Sequence, residues 1–388
     1  MQKHPRRNKM PADTCSEILE SAYQDATAHP SEAFVGDVEA GNHIAYAALC
    51  PSNRAGARFL LAATLAKIHH PNVDIRKPFI QAYPDTEKVD AYPGRNYDEQ
   101  YIFDFITRHK LPCSPTTAFL TPAFRTKNIV LDANQKLRGR PPELYKFILG
   151  VLGAVQSGKI RADAALRETI RILIIERDTR AKRLQKLKEN LQEQCDDLPL
   201  SSEDTVKLIE RHLALKNAAR LPVLVIAAAY TAAADRLGEK VLRLHPHNAA
   251  DKQTGALGDV EITLANDERV VTTYEMKDKA VTIGDIDIAI QKIADGANIQ
   301  NYIFVTTERI SQDVREYAAK QYKELGGVEI AILDCIGFLR HFLHLFHRLR
   351  TNFLDAYQEL VLSQPESGVN QALKEAFLAL RKAEQAAE

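Results

Sequence analysis

The second half of the chain alternates short β-like runs with helical patterns. DVEITLA, RVVTTYEMK, NYIFVTT and VEIAILD are short runs rich in β-branched and aromatic residues. Between the second and third runs, one stripe of isoleucines has helical spacing: Ile283, Ile286, Ile290 and Ile293. Thr282 supplies an N-cap for this helix and Asp285 an acid in its first turn. This order predicts an α/β fold with a mixed central sheet flanked by helices.

The first half has a different pattern, which indicates a separate and largely helical region. Apolar residues recur at helical spacing from Thr14 to Ala66, whereas prolines interrupt the stretch from His70 to Pro142. A charged helical pattern from Arg161 to Gln194 is followed by CDDLPLSSED, which is typical of a linker. We therefore predict two domains: residues 1–200, mainly helical with proline-rich loops, and residues 201–388, an α/β domain with C-terminal helices.

Composition excludes several classes of protein. The 51 basic and 51 acidic residues give a net charge of +0, so a nucleic acid or membrane surface would have to be met by a local patch. The five cysteines are scattered without a CxxC pair, which favours a reduced, cytoplasmic setting. The basic N-terminus has no apolar core like that of a secretory signal, and no apolar run is long enough to predict a membrane span.

The first two β-like runs predict a hairpin that carries acidic groups on one face. Side chains alternate along a strand, so Asp259 and Glu261 share a face, as do Glu275 and Lys277 on the second strand. If the loop is 266–268, with three residues, Ala265 pairs with Arg269 and Asp259 lies opposite Glu275, with Cβ atoms about 5 Å apart. A two-residue loop would place the two carboxylates on opposite faces.

Facing carboxylates repel each other, and a hard divalent cation such as Mg²⁺ relieves that repulsion. Lys277 could hold or help deprotonate a metal-bound water and offset charge on a phosphate, which is the chemistry of phosphodiester hydrolysis. Glu261 could be an additional ligand, although a surface acid is the favoured interpretation. The competing interpretation of the whole motif is a solvated hairpin face whose charges only protect a strand edge.

The pattern Asp259 followed by Glu275-Met276-Lys277 resembles the PD-(D/E)XK nuclease superfamily, especially type II restriction endonucleases. Gly258 stands where that pattern often has proline. The phrases NAADKQTGALGDVEITL, YEMKDKAVTI and PCSPTTAFLTPAFR are further similar to SacI-like restriction enzymes. The superfamily core would cover about residues 221–334. The resemblance implies metal ligation by Asp259, Glu275 and the Met276 carbonyl, with Lys277 at the water.

The resemblance also implies a function. It implies Mg²⁺-dependent, sequence-specific cleavage of double-stranded DNA that leaves 5′-phosphates, by a homodimer with a cognate DNA methyltransferase. The alternative is a non-catalytic DNA-binding or assembly protein with a disabled nuclease fold. Residues that bind DNA cannot be assigned from the sequence. For base readout we consider the proline-rich loops, around Arg95, Tyr97, Thr116, Thr117 and Arg125.

One further motif points to a different class of protein, a nucleotide-hydrolysing motor. Gly153 to Ile160 nearly spells a P-loop, but Ile160 cannot supply the hydroxyl that binds Mg²⁺ in such loops. The residues before it equally suit a helix that ends at Gly158. We therefore prefer the helical interpretation.

Overall fold

The computed structural model describes residues 13–80, 83–84, 88–125, 129–192, 199–244, 256–294 and 299–385. The chain divides into two compact units, an N-terminal unit, Met1–Lys182, and a C-terminal unit, Arg183–Glu388. The predicted domain boundary, residue 200, lies further along the chain. The predicted linker begins at Cys195, and its part up to residue 198 lies outside the described residues.

The N-terminal unit is built from helices joined by irregular segments, as its sequence pattern predicts. Its helices are α1 (Asp13–Ala28), α2 (Val38–Leu49), α3 (Ala55–His69), α4 (Gly94–Tyr97), α5 (Phe103–Arg108), α6 (Pro142–Gln156) and α7 (Ala162–Gln192), the last continuing past Lys182. Every residue of α3 from Ala55 to Ala66 is buried. A helix that is buried on all sides takes the centre of a core, and α3 does so here.

A buried ion pair holds the proline-rich region against α3. Arg58 Nε lies 2.7 Å from Asp98 Oδ1, and the two side chains are 2% and 0% exposed. The same guanidinium donates to the carbonyl oxygens of Ser114 and Pro115, each at 2.8 Å. The charge of Arg58 is therefore fully paired inside the protein, as a buried charge requires. In the P-loop-like segment, residues 153–156 form the last turn of α6, and Gly158 follows the helix end with φ +76°.

The C-terminal unit is an α/β domain around a five-stranded mixed sheet, which confirms the predicted fold class. Its strands are β1 (Glu239–Val241), β2 (Val260–Leu264), β3 (Val270–Lys277), β4 (Asn301–Thr306) and β5 (Glu329–Asp334). They lie in sequence order, antiparallel from β1 to β3 and parallel from β3 to β5. Sequence analysis missed β1, because three residues are too few to display a period of two.

Helices cover both faces of this sheet. They are α8 (Ser202–Leu213), α9 (Leu221–Leu237), α10 (Ile283–Ala294), α11 (Gln312–Glu324), α12 (Cys335–Leu345), α13 (Arg350–Ser363) and α14 (Gln371–Gln385). One core includes Val260 and Tyr274 with residues of α9, α12 and α13; the other includes Tyr302 with residues of α10 and α11. The hairpin face that was predicted to be charged is therefore largely covered, and Thr273 on it is 0% exposed.

The loop between β2 and β3 differs from the predicted one. β2 ends at Leu264 and β3 begins at Val270, and Thr263 pairs with Val270, so the predicted pairing of Ala265 with Arg269 is wrong. A bulge between Ile262 and Thr263 shifts the register by one residue. Val260 consequently pairs with Tyr274, which is the register that the three-residue loop predicts at the far end of the hairpin.

Among the described residues, no helix has both the length and the apolar character needed to cross a bilayer.

Candidate active site

Asp259 lies beside the C-terminal end of β3. Its backbone N–H donates to the carbonyl oxygen of Tyr274 at 2.8 Å, and its carboxylate Oδ2 accepts from the N–H of Met276 at 2.9 Å. These two hydrogen bonds fix both the backbone and the side chain of Asp259 against residues 274–276. Asp259 is therefore in contact with the backbone of the Glu275-Met276-Lys277 segment, and its convergence with the Glu275 carboxylate on one metal ion stays a prediction.

Gly258 makes this approach possible. A Cβ atom at position 258 would lie 2.6 Å from both the Tyr274 carbonyl oxygen and Thr273 Oγ1, closer than real Cβ contacts. Any side chain there, proline included, would push β2 away from β3. The glycine that departs from the superfamily pattern is therefore required by the close packing of these two strands.

Glu275 is held by three groups. Its Oε1 lies 3.0 Å from Lys277 Nζ, and its Oε2 lies 2.9 Å from Lys292 Nζ and accepts the hydroxyl of Tyr302 at 2.6 Å. Burial alone would raise the pKa of Glu275, but the Tyr302 hydrogen bond and the charges of Lys292 and Lys277 outweigh it. The pKa is held below its ordinary value, so the group is a carboxylate at neutral pH.

Lys277 lies between two carboxylates. Besides Glu275, its Nζ is 3.2 Å from Asp285 Oδ1. Burial lowers the pKa of Lys277, but the charges and hydrogen bonds of Glu275 and Asp285 raise it more, and the pKa ends above its ordinary value. In this arrangement Lys277 is an ammonium group. It can donate hydrogen bonds and offset negative charge, but it has no lone pair with which to take a proton from water.

Asp285 also caps helix α10 from its first turn. Its Oδ2 accepts the backbone N–H of Thr282 at 2.9 Å and the Thr282 hydroxyl at 2.7 Å. The sequence predicts this capping pair from Thr282 and Asp285 alone. The pattern gives no indication that the second oxygen of Asp285 reaches Lys277, because that contact depends on where α10 packs on the sheet.

Lys292 and Tyr302 are site residues that sequence analysis missed. Both also contact the carbonyl oxygen of Leu257, at 3.3 and 3.2 Å, just before Asp259. The only local signal is the spacing of Lys292 from Asp285, which puts both on one face of α10. Tyr302 is opposite Thr273 across the parallel β3–β4 pair, a register that no hairpin turn could have predicted.

Glu261 forms a hydrogen bond to the backbone of the segment that precedes Asp259. Its Oε1 accepts the backbone N–H of Leu257 at 2.8 Å. Together with the bonds that Lys292 and Tyr302 make to the Leu257 carbonyl, this contact shapes the segment that leads into Asp259. Glu261 therefore supports the backbone beside the candidate site.

Asp259 and Lys277 open onto one cleft of about 440 Å³. Met276 and Asp278 also line the cleft. The rest of its wall includes residues just before α9, residues of the first turn of α9, and Thr307, which follows β4. Glu275 does not line this cleft but contacts Lys277, which does, and its side chain is 17% exposed.

The donor set at the end of β3 fits a hard divalent cation. Among the described residues, no cluster of three or more His, Cys, Asp or Glu side chains is arranged to hold a metal. Asp259, Glu275 and the Met276 carbonyl nevertheless supply oxygen donors at neighbouring positions of two paired segments, the start of β2 and the end of β3. Such a set suits Mg²⁺, which binds few protein oxygens and keeps several waters.

Two of the residues considered for base readout do not have accessible side chains. Tyr97 is 6% exposed and its hydroxyl bonds to His69 Nδ1 at 2.7 Å, while Thr117 is 8% exposed and accepts the Phe119 N–H. Readout needs side chains that reach base edges, so these two buried side chains are not the readers, and a reading role for the surrounding loops stays a prediction. Arg95, although exposed, pairs with Glu99 at 2.7 Å.

The fold and the site define a class of protein. A mixed sheet with an aspartate beside a Glu-Met-Lys strand end is what the resemblance to type II restriction endonucleases implies. Residues 199–308 match the family model of the SacI restriction endonuclease C-terminal domain, so this domain is SacI-like. The matched segment contains Asp259, Glu275 and Lys277. No curated protein sequence matches the chain.

Proposed function

We propose that this protein is a Mg²⁺-dependent type II restriction endonuclease that hydrolyses double-stranded DNA at a specific sequence. The observation that supports the proposal most directly is the contact of Asp259 with the Met276 backbone, which joins a SacI-like domain's acid to its Glu275-Met276-Lys277 segment. Asp259 and Lys277 share a cleft that is open to a substrate.

In this proposal Asp259, Glu275 and the Met276 carbonyl would hold Mg²⁺. The bound ion would supply an activated water and charge neutralisation at the phosphate. Asp259 stays oriented because Met276 N–H holds one of its oxygens. Glu275 stays ionised because Tyr302 and two lysines stabilise its negative charge.

Lys277 would act as a hydrogen-bond donor in this site. Its raised pKa keeps it protonated at neutral pH, so it can orient the attacking water and balance charge that develops on the phosphate oxygens. This favours the orienting role over deprotonation of the water, the two roles that the sequence left open. The proton released by the water would pass to another acceptor, such as solvent.

Cleavage of plasmid DNA tests the proposal. We expect cutting with Mg²⁺, none with EDTA, and a loss of cutting in Lys277→Ala, whereas Lys279→Ala, two positions away and exposed, should cut normally. Sequencing the ends would give the recognition site and show whether 5′-phosphates remain. The absence of metal-dependent cutting in a protein that still binds DNA would instead support the non-catalytic alternative.

Two partners are part of the proposal. Cutting both strands of a symmetric site favours a twofold homodimer, which sedimentation of the full chain would detect. A cognate DNA methyltransferase would protect the host's own sites. Resistance of DNA methylated at the recognition sequence, with normal cutting of the unmethylated DNA, would support that pairing.

A further inference from the structure

Four charged side chains form a continuous series of ion pairs, of which only Lys277 lines the cleft. Asp285 Oδ1 lies 3.2 Å from Lys277 Nζ, which in turn lies 3.0 Å from Glu275 Oε1. The other oxygen of Glu275, Oε2, lies 2.9 Å from Lys292 Nζ. The charges alternate in sign, so Lys277 and Glu275 each have an opposite charge on both sides. The two outer members come from one helix, α10.

The geometry of α10 explains why one helix reaches both ends of the series. Asp285 and Lys292 are seven positions apart, about two helical turns, and therefore share a face. Glu275 and Lys277 are two positions apart on β3 and also share a face. A helix that packs along this part of the sheet can therefore present an acid to Lys277 and an ammonium group to Glu275.

These contacts are shielded from water. The four side chains are between 12% and 20% exposed. Ion pairs at this depth interact more strongly than pairs on an open surface, because less solvent screens them.

Both outer residues are also anchored to the backbone. Asp285 caps α10 through its second oxygen, which accepts the Thr282 N–H at 2.9 Å. Lys292 Nζ donates to the Leu257 carbonyl at 3.3 Å, next to the segment that carries Asp259. Neither residue lines the cleft. Their positions suit groups that hold other side chains in place.

We propose that helix α10 positions both catalytic side chains: Asp285 holds the Lys277 ammonium, and Lys292 holds the Glu275 carboxylate. The inference rests on the proposed nuclease function and adds Asp285 and Lys292 to it as positioning residues.

Besides holding Glu275, Lys292 should also affect metal binding, because it is a cation beside a proposed metal ligand. Asp259, Glu275 and Asp285 supply the negative charges, and Lys277, Lys292 and Arg220, which interacts electrostatically with Asp259, supply the positive ones. Removing the Lys292 charge leaves the site more negative, which should strengthen binding of a divalent cation. It also frees Glu275 from one of its three partners, which should slow turnover. Metal affinity and rate would move in opposite senses, whereas a folding defect would weaken both.

Lys292→Met in the full-length chain tests this half of the proposal. Binding of Mn²⁺ is measured by titration calorimetry without DNA, and DNA cleavage is measured under single-turnover conditions. We expect the Mn²⁺ Kd to fall at least about threefold and the cleavage rate to fall about tenfold. Lys292→Arg, which keeps the charge, should restore the parental Kd. Lys320→Met, on an exposed position of α11, is the matched control and should change neither quantity.

Asp285→Asn tests the other half. The amide oxygen can still accept the Thr282 N–H, so the cap is retained while the negative charge beside Lys277 is lost. We expect the single-turnover rate to fall about tenfold and the Mn²⁺ Kd to rise, because the site loses a negative charge. Asp287→Asn is the matched control on the same helix, since Asp287 contacts the Tyr317 hydroxyl, and it should leave both values unchanged.

Three results would overturn the inference. The first is a Lys292→Met variant whose Mn²⁺ Kd and cleavage rate both stay within about twofold of the parent. The second is a Lys292→Met variant that binds Mn²⁺ more weakly and also cleaves more slowly. The third is an Asp285→Asn variant that cleaves at the parental rate. In each case the parent still cleaves, so the proposed function stands. A parent that binds Mn²⁺ but never cuts DNA rejects the nuclease function alone if Lys292→Met still tightens binding. A parent without Mn²⁺ binding rejects both.

Discussion

The carboxylate of Asp259 accepts a hydrogen bond from the backbone N–H of Met276 at 2.9 Å. This bond connects the start of β2 to the end of β3 independently of any metal. It orients one oxygen of Asp259 toward the strand and holds the acid beside the Glu275-Met276-Lys277 segment. Such preorganisation reduces the reorganisation that substrate binding would otherwise require.

Substitution of Asp259 separates its charge from this hydrogen bond. In Asp259→Asn the amide oxygen can still accept the Met276 N–H, so we expect a melting temperature close to the parent. The rate of DNA cleavage should fall by about a thousandfold or more, because a ligand charge is lost. Asp259→Ala should lose the bond as well and cost about 1 kcal/mol of unfolding free energy. Asp259→Asn that cleaves within about tenfold of the parent would contradict a ligand role.

Gly258→Ala should disrupt the site through the backbone. The added Cβ would meet the Tyr274 carbonyl at 2.6 Å, so β2 must move. We expect a loss of about 1–3 kcal/mol in unfolding free energy, measured by urea denaturation, and slower cleavage. Gly284→Ala on α10 is the control, because its Cβ would meet only Thr282 Oγ1 at 3.8 Å. Equal stability of the two variants would contradict the close approach of the strands.

Acid should remove the contribution of Glu275 to stability. Its pKa in the folded protein lies below the ordinary value of 4.5, so the contribution is present above that value and is lost as pH falls through the folded pKa. We expect Glu275→Gln to be less stable than the parent near pH 7. The difference in urea midpoint should shrink steadily below about pH 4.5. A difference that stays constant down to acid would show that the carboxylate charge has no role in stability. Glu268→Gln, an exposed position, should show no difference at either pH.

The charge of Lys277 should matter more than its bulk. Lys277→Met keeps most of the side-chain volume beside Phe304, whose ring centroid lies 5.9 Å from Nζ. We expect cleavage to fall by about a hundredfold or more, because no donor remains to orient the water. Lys279→Met should cleave normally. A Lys277→Met enzyme within about fivefold of the parent would remove Lys277 from the proposed mechanism.

Much of the C-terminal unit could be predicted from its sequence, because the informative signals are local. The alternation along DVEITL and VVTTYEMK predicts strands, and the isoleucine stripe with Thr282 predicts the start and buried face of α10. Ile286 and Ile293 of that stripe are buried, whereas Ile283, in the first turn, is 40% exposed. The strand and helix periods are properties of consecutive residues, so the sequence alone determines them.

The sequence by itself determined the strands β2 to β5, helix α10 and the acid and lysine types at the end of β3. Tertiary structure alone decided which groups surround Glu275: Lys292 is 17 positions away along the chain and Tyr302 is 27. Those contacts depend on the parallel register of β3 with β4 and on the packing of α10. The bulge next to Ile262 likewise shifts the pairing of β2 with β3 by one residue, so that Val260 lies opposite Tyr274. Such long-range contacts form only when separate elements bury a common core, and no local period encodes them.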